Sequence, residues 1–391
     1  MGDKRLLLIT RSLRLFAYGA LAVVLVLYLT ALGFTTAQIG LLLTLTLIGD
    51  TVVSLVLTTR ADRVGRRRVL IAGAVLMGLA GLVFALSKSF VVLLVTGTLG
   101  VISPSGNEVG PFLPVEQAAL SQVVPAASRT SVFAWYTLAG ALATAVGSLT
   151  GGGLSDAFHN YRVVVLLYAA VGVVLALFFT QLSSRAEVAK GGASLFGIGG
   201  SKPIVVRLAS LFALDAFAGG FVVQSFAAYW FSLRFGVGAA TLGAIFFGAN
   251  VLAGFSALLA ARLATRFGLV RTMVFTHLPS NVLLILVPLM PTLPLAVAVL
   301  FLRFSISQMD VPTRQSYLMA VVGPEERSAA AGVTGVARTT GAALAPVFAG
   351  LLFARPALIS VPFFIAGALK IVYDLLLYKA FVRVRPGEGV A

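Results

Sequence analysis

The chain has 391 residues, is 59% hydrophobic with a mean hydropathy of +1.03, and only 11% of its residues are charged. A soluble domain of this size needs far more polar surface, so the solvent implied is the bilayer. The formal charge of +16 does not point to nucleic acid, because the basic residues fall in loops on one expected side of the membrane. There is no Cys and there are two His; disulfides and thiol chemistry are excluded, and neither a metal site nor a cofactor is expected.

The N-terminus carries Lys4, Arg5, Arg11 and Arg14 and is then apolar through Leu32. That stretch is too long for a signal peptide, lacks a small-residue cleavage site and opens a series of similar segments, so it reads as a first transmembrane helix. Hydropathy predicts twelve spans, over 12–33, 38–58, 69–87, 90–113, 130–153, 161–182, 204–232, 238–260, 270–290, 293–319, 328–353 and 357–379. Each is near the roughly 20 residues a helix needs to cross the hydrocarbon. The loops are short except for 183–203, which is polar and Gly-rich and reads as a linker. The expectation is an all-α membrane protein of two six-helix pseudo-repeat bundles, 1–182 and 204–391. Lys88, Arg162, Arg234 and Arg355 fall on one side; the N-terminus, the loops around 60–68, 129, 183–207, 262–271 and 327, and the tail with Lys379, Arg383 and Arg385 fall on the other. The basic side is expected to be cytoplasmic, with both termini there and the chain in the inner (plasma) membrane.

Two internal matches point to duplication. Arg60-Ala61-Asp62-Arg63-Val64-Gly65-Arg66-Arg67-Arg68 lies between two apolar segments, and Arg63, Gly65 and Arg68 map at one constant offset onto Arg266, Gly268 and Arg271. Pro114, Gln117, Leu120, Val123, Val124 and Arg129 likewise map without a gap onto Pro312, Gln315, Leu318, Val321, Val322 and Arg327. Two units in one orientation fit parallel repeats about an axis along the membrane normal, a transporter arrangement.

The loop Thr58-Thr59-Arg60-Ala61-Asp62-Arg63-Val64-Gly65-Arg66-Arg67 resembles the signature that follows helix 2 in the major facilitator superfamily, with Thr58 in place of the first Gly. The resemblance covers essentially the whole chain. It implies twelve helices in two halves, transport by alternating access, and a central cavity lined by helices 1, 4, 7 and 10. Within that family the drug:proton antiporters carry glycines on helix 5 at a spacing similar to Gly140, Gly147 and Gly151; Gly152 stands where they have Pro. Their helix 4 carries an Arg that the stretch 93–100 lacks. The resemblance also implies a gating role for Asp62, Arg63, Gly65, Arg66 and Arg129, with Asp62 capping helix 3 or meeting a neighbouring Arg.

Ionisable side chains within spans are costly and mark function. On helix 10, Arg303, Ser307, Asp310, Arg314 and Tyr317 follow spacings of 4, 3, 4 and 3 and share one helical face. This stripe, with Asn107 on helix 4 and Tyr18 on helix 1, is the expected substrate site, Arg303 meeting an anionic group or a carboxylate. Helix 4 places Asn107, Glu108 and Glu116 among Pro104, Pro111 and Pro114, which kink it and free carbonyls. Glu108, Asp215 on helix 7 and Asp50 on helix 2 are the candidate proton-coupling groups; the alternative for each is a fixed ion pair or hydrogen bond. Arg338, Lys370 and Asp374 read as packing residues.

No G-x-x-x-x-G-K-[ST] loop occurs, so ATP is not the expected driver. An enzyme is not expected. The reading is a monomeric secondary transporter of a small organic solute, working by proton-coupled efflux. Uptake or exchange of an anionic metabolite is one alternative, and lipid translocation another.

Overall fold

The computed structural model describes residues 2–125, 129–187, 201–323 and 326–382. Among these are fifteen α-helices: α1 Asp3–Ala31, α2 Thr36–Val64, α3 Arg66–Leu86, α4 Phe90–Leu99, α5 Phe112–Val123, α6 Arg129–Ala157, α7 Arg162–Phe179, α8 Lys202–Gly220, α9 Gln224–Phe235, α10 Ala239–Phe267, α11 Leu269–Leu286, α12 Leu293–Ser307, α13 Asp310–Val321, α14 Arg327–Phe353 and α15 Val361–Phe381. They form twelve spans. Nine are single helices; the fourth, seventh and tenth are interrupted, as α4/α5, α8/α9 and α12/α13. Large apolar side chains such as Leu79, Trp135, Leu177 and Phe275 are exposed on the outer surfaces, which suits lipid and not water.

The expected duplication appears in the packing. In the first half α1 packs on α6 and α3 on α7; in the second, α8 packs on α14 and α11 on α15. Spans one and five therefore pair as seven and eleven do, and three and six as nine and twelve do. The repeated basic turn has the same backbone in both copies. Gly65 (φ 108°) joins α2 to α3 and Gly268 (φ 86°) joins α10 to α11, each with no other residue between the two helices. A side chain at either position would be strained, which explains why the glycine recurs.

Contacts divide the chain into two compact units, Met1–Gly192 with Val223–Val251, and Ala193–Val222 with Leu252–Ala391. Inside the first unit, α9 and the first turns of α10 lie with α1–α7, because α9 packs on α1 and glycines let α10 approach α6. The contact units thus differ in extent from the expected sequence halves 1–182 and 204–391.

The helix-5 glycines have a local reason. A methyl group added at Gly147 would collide with the Phe16 carbonyl oxygen, and one at Gly151 would lie 2.5 Å from that of Ala20, both on α1. At Gly153 nothing lies within 4 Å. Gly147→Ala is therefore expected to force α1 and α6 apart and lower the melting temperature by several degrees, whereas Gly153→Ala leaves it near wild type; thermal unfolding in detergent checks both.

Candidate functional site

The interruption of the fourth span, residues 100–111, sits in the first unit, where each freed backbone group must find a partner. Side chains supply several. Tyr168 donates to the Val101 carbonyl (2.6 Å), Tyr18 to that of Val109 (3.3 Å) and Ser103 to that of Asn107 (2.7 Å), while the Ser225 N–H donates to the Pro104 carbonyl (3.2 Å). Gly110, at φ 76°, is gripped at both ends of its backbone by one face of α2. Its N–H donates to Asp50 Oδ1 (2.6 Å), and its carbonyl accepts from the Ser54 hydroxyl (3.0 Å). Asp50 is buried, and among the described residues no Lys, Arg or His pairs with it. Its titratable neighbours are the phenols of Tyr18 and Tyr168.

The same interruption carries Glu108 into a buried ionic cluster. Arg14, fully buried on α1, meets Glu116 through two nearly parallel bonds of 2.7 and 2.8 Å and Glu108 through bonds of 3.1 to 3.3 Å. Arg11 meets Glu108 at 3.0 Å. Thr10 and Tyr136 donate to the Glu116 carboxylate. The two guanidinium groups also lie over rings, Arg11 4.1 Å from the centre of Tyr136 and Arg14 4.5 Å from that of Phe112. Two cations thus balance two carboxylates.

The second unit holds a larger cluster around Asp215 on α8. Lys370 lies at 2.5 Å, Arg314 at 3.4 Å, Arg338 at 3.7 Å and His277 Nε2 at 3.8 Å from its oxygens. Arg314 also meets Asp310 at 3.0 Å. Asp374 is held by His277 Nδ1 (2.8 Å) and the Asn281 amide (2.9 Å). Glu116 and Arg314 stand at equivalent places in the aligned Pro114 and Pro312 segments. The fourth-span acid meets a first-span Arg in one half, and the tenth-span Arg meets a seventh-span acid in the other, so the repeated contact is reversed in sign.

The expected site residues divide accordingly. Glu108 and Asp215 are both ion-paired, Glu108 with Arg11 and Arg14; Asp50 is not. Asn107 has its side chain exposed at the interruption, and Tyr18 is buried and stacked on Tyr168 at 6.0 Å. The tenth-span stripe is cut at residues 308–309. Arg303 and Ser307 end α12, while Asp310, Arg314 and Tyr317 belong to α13; Tyr317 enters an apolar core beside Phe381, Phe212 and Met273. Arg303 makes no ion pair among the described residues, and its buried Nε and the buried Ser307 hydroxyl have no hydrogen-bond partner.

The side chains of Asp62, Arg63 and Arg129 lie outside the described residues. At Gly65 and Arg66 the start of α3 is visible, and the carboxylate there is that of Glu187, which accepts from the Arg66 and Arg67 N–H groups at 2.7 and 3.0 Å. A carboxylate at a helix N-terminus satisfies orphan donors and complements the helix dipole. The Arg66 guanidinium donates to Gln122 (2.8 Å) and to the Ala186 carbonyl (3.2 Å).

Sequence reasoning singled out neither Arg11 and Arg14 nor His277 and Asn281. The spacing of Arg11, Arg14 and Tyr18 on one helical face was a usable signal, as was the opposite sign of Glu116 and Arg314 at aligned positions.

Residues 7–309 match the family description Major Facilitator Superfamily. The chain is 31% identical over 424 aligned positions to an uncharacterized membrane protein of Saccharomyces cerevisiae, covering 98% of this chain and 94% of the yeast protein. Over 141 positions, 33% of this chain and 30% of the other, it is 34% identical to a Na(+), Li(+), K(+)/H(+) antiporter of Planococcus maritimus. The crystal structure of the nucleoside transporter NupG shares the fold with a TM-score of 0.76 at 16% identity, over 97% of this chain and 99% of that one. The chain belongs to the Major Facilitator Superfamily, a family of multi-pass membrane transporters and not of enzymes.

Proposed function

We propose that the protein exports a small organic solute by alternating access in exchange for protons, with Asp50 as the group that loads and unloads the proton. The observation that carries this reading is the position of Asp50. It is a buried carboxyl without a cation, bound to the backbone of the interruption that also bears Glu108. A hydrogen bond to an ionised acceptor is roughly twice as strong as one between neutral groups. Protonation of Asp50 therefore loosens its hold on Gly110 and so on the segment joining α4 to α5, a local charge change acting on a helix junction. Glu108 and Asp215 fit proton transfer less well, because each is already engaged in ion pairs, Glu108 with Arg11 and Arg14 and Asp215 with Lys370. The partial likeness to a cation/proton antiporter and the glycine pattern of α6 favour exchange over symport. The basic turns 60–68 and 262–271 support an orientation with both termini in the cytoplasm.

The test uses the purified protein in lipid vesicles incubated with a metabolite extract, with and without an imposed pH difference, and identifies accumulated solutes by mass spectrometry. Wild type is expected to accumulate at least one solute only when the gradient is present. Asp50→Asn keeps an acceptor for Gly110 and is expected to fold normally, yet to let the same solute only equilibrate. Gradient-independent accumulation by wild type, or a full gradient response in Asp50→Asn, overturns the proposal.

A further inference from the structure

The interior of the second unit has an unequal charge count. Among the described residues its three buried acids are each engaged: Asp215 by Lys370, Arg314 and Arg338, Asp310 by Arg314, and Asp374 by His277 and Asn281. Against these three stand four permanent cations, Lys370, Arg314, Arg338 and Arg303. Arg303 is the one left over. It has no carboxylate partner among the described residues, and what lies against its guanidinium is the ring of Phe304, 4.9 Å from the ring centre. One helical turn further along α12 the Ser307 hydroxyl, 5% exposed, is also without a partner. The Arg303 Nε and the Ser307 hydroxyl, one turn apart on α12 and both buried without a hydrogen-bond partner among the described residues, form a donor set with no acceptor. An ionisable side chain in a membrane helix is costly and marks a substrate or ion pathway. Arg338 is loosely held in addition, 3.7 Å from Asp215 with its side chain 35% exposed. In the first unit's cluster, by contrast, Arg11 and Arg14 balance Glu108 and Glu116.

We propose that Arg303 and Ser307 form an anion-binding subsite, and that the transported solute carries a carboxylate, sulfonate or phosphate group. The inference rests on the reading of the chain as a solute carrier and supplies its cargo class. Arg303 supplies planar donors for two oxygens of the anion, and Ser307 a third donor one turn away. The excess charge also predicts the behaviour of the empty protein. Arg303→Gln removes a cation that makes no direct ion pair among the described residues, and leaves the basal melting temperature equal to or above that of wild type, whereas loss of a structural ion-pair member would lower it.

The experiment is thermal unfolding of the purified full-length protein in detergent with benzoate, succinate, benzenesulfonate and phenyl phosphate, against benzamide and benzylamine as neutral and cationic controls. At least one anion is expected to raise the melting temperature of wild type while both controls do not. Arg303→Gln is expected to require roughly tenfold or more of that anion for the same shift, Ser307→Ala to weaken it, and Arg303→Lys to retain part of it. The proposal is overturned if no anion stabilises the protein, if the shift survives Arg303→Gln unchanged, or if Arg303→Gln unfolds at lower temperature than wild type. Binding is read here without transport. Persistence of the anion shifts with loss of gradient dependence in vesicles overturns the proton reading alone, and gradient-driven flux of neutral or cationic solutes without these shifts overturns the anion subsite alone.

Discussion

Arg14→Ala is expected to destabilise the protein by about 3–5 kcal/mol, the range seen when one partner of a buried charge pair is removed. Arg14 is 0% exposed, and both Glu108 and Glu116 direct oxygens at it. Without it, Glu116 keeps only Thr10 and Tyr136 as hydrogen-bond donors among the described residues, and Glu108 keeps Arg11. Glu116 is itself 0% exposed, so a bare carboxylate there has no water to turn to. Thermal unfolding in detergent should show a large loss of melting temperature or no monodisperse protein at all. The double variant Arg14→Met with Glu116→Met removes the tightest pair together and is expected to recover much of the loss, since replacing both partners by apolar groups is far less costly than removing one. Equal damage in the double variant would mean that the cluster is not what holds α1 to α5.

Asp215→Ala should do comparable harm in the second unit for the opposite electrostatic reason. Asp215 is 4% exposed and lies within 4 Å of Lys370, Arg314, Arg338 and His277. Among the described residues, its removal leaves Lys370 with no carboxylate within ion-pair distance and Arg314 with Asp310 alone. A loss of about 3–5 kcal/mol is again expected. Combining Asp215→Ala with Lys370→Met takes out the closest pair together and should restore a large share of the stability. If Asp215→Ala melts like wild type, these contacts contribute little to the folded unit.

Both predictions concern groups that sequence alone revealed in part. The spans, the duplicated basic turn and its glycine hinge were legible because each is a local signal: a long apolar run, a repeated motif, a residue type needed for positive φ at Gly65 and Gly268. The kink of the fourth span was legible from Pro104, Pro111 and Pro114. What holds that kink was not, because Asp50 and Ser54 reach Gly110 from another helix, and hydropathy carries no information on such pairings. The tenth span read as one helix with a single polar face, since its spacing is regular from Arg303 to Tyr317. Its break at residues 308–309 separates Arg303 and Ser307 from Tyr317, which packs into apolar surroundings. Arg11 and Arg14 read as a basic flank of the first helix because charge near an N-terminus is ordinarily topological. Burial within α1 makes them ionic partners of the fourth span instead.

Exchange of solute for protons is tested most directly by following proton movement itself. Vesicles holding the protein and a trapped pH-sensitive dye are given, from outside, the solute found to accumulate, with membrane potential clamped. The wild-type protein should move protons in the direction opposite to the solute as the solute enters, and Asp50→Asn should pass solute with no accompanying pH change. Solute entry with no proton movement in the wild type, or proton movement undiminished in Asp50→Asn, would contradict the account.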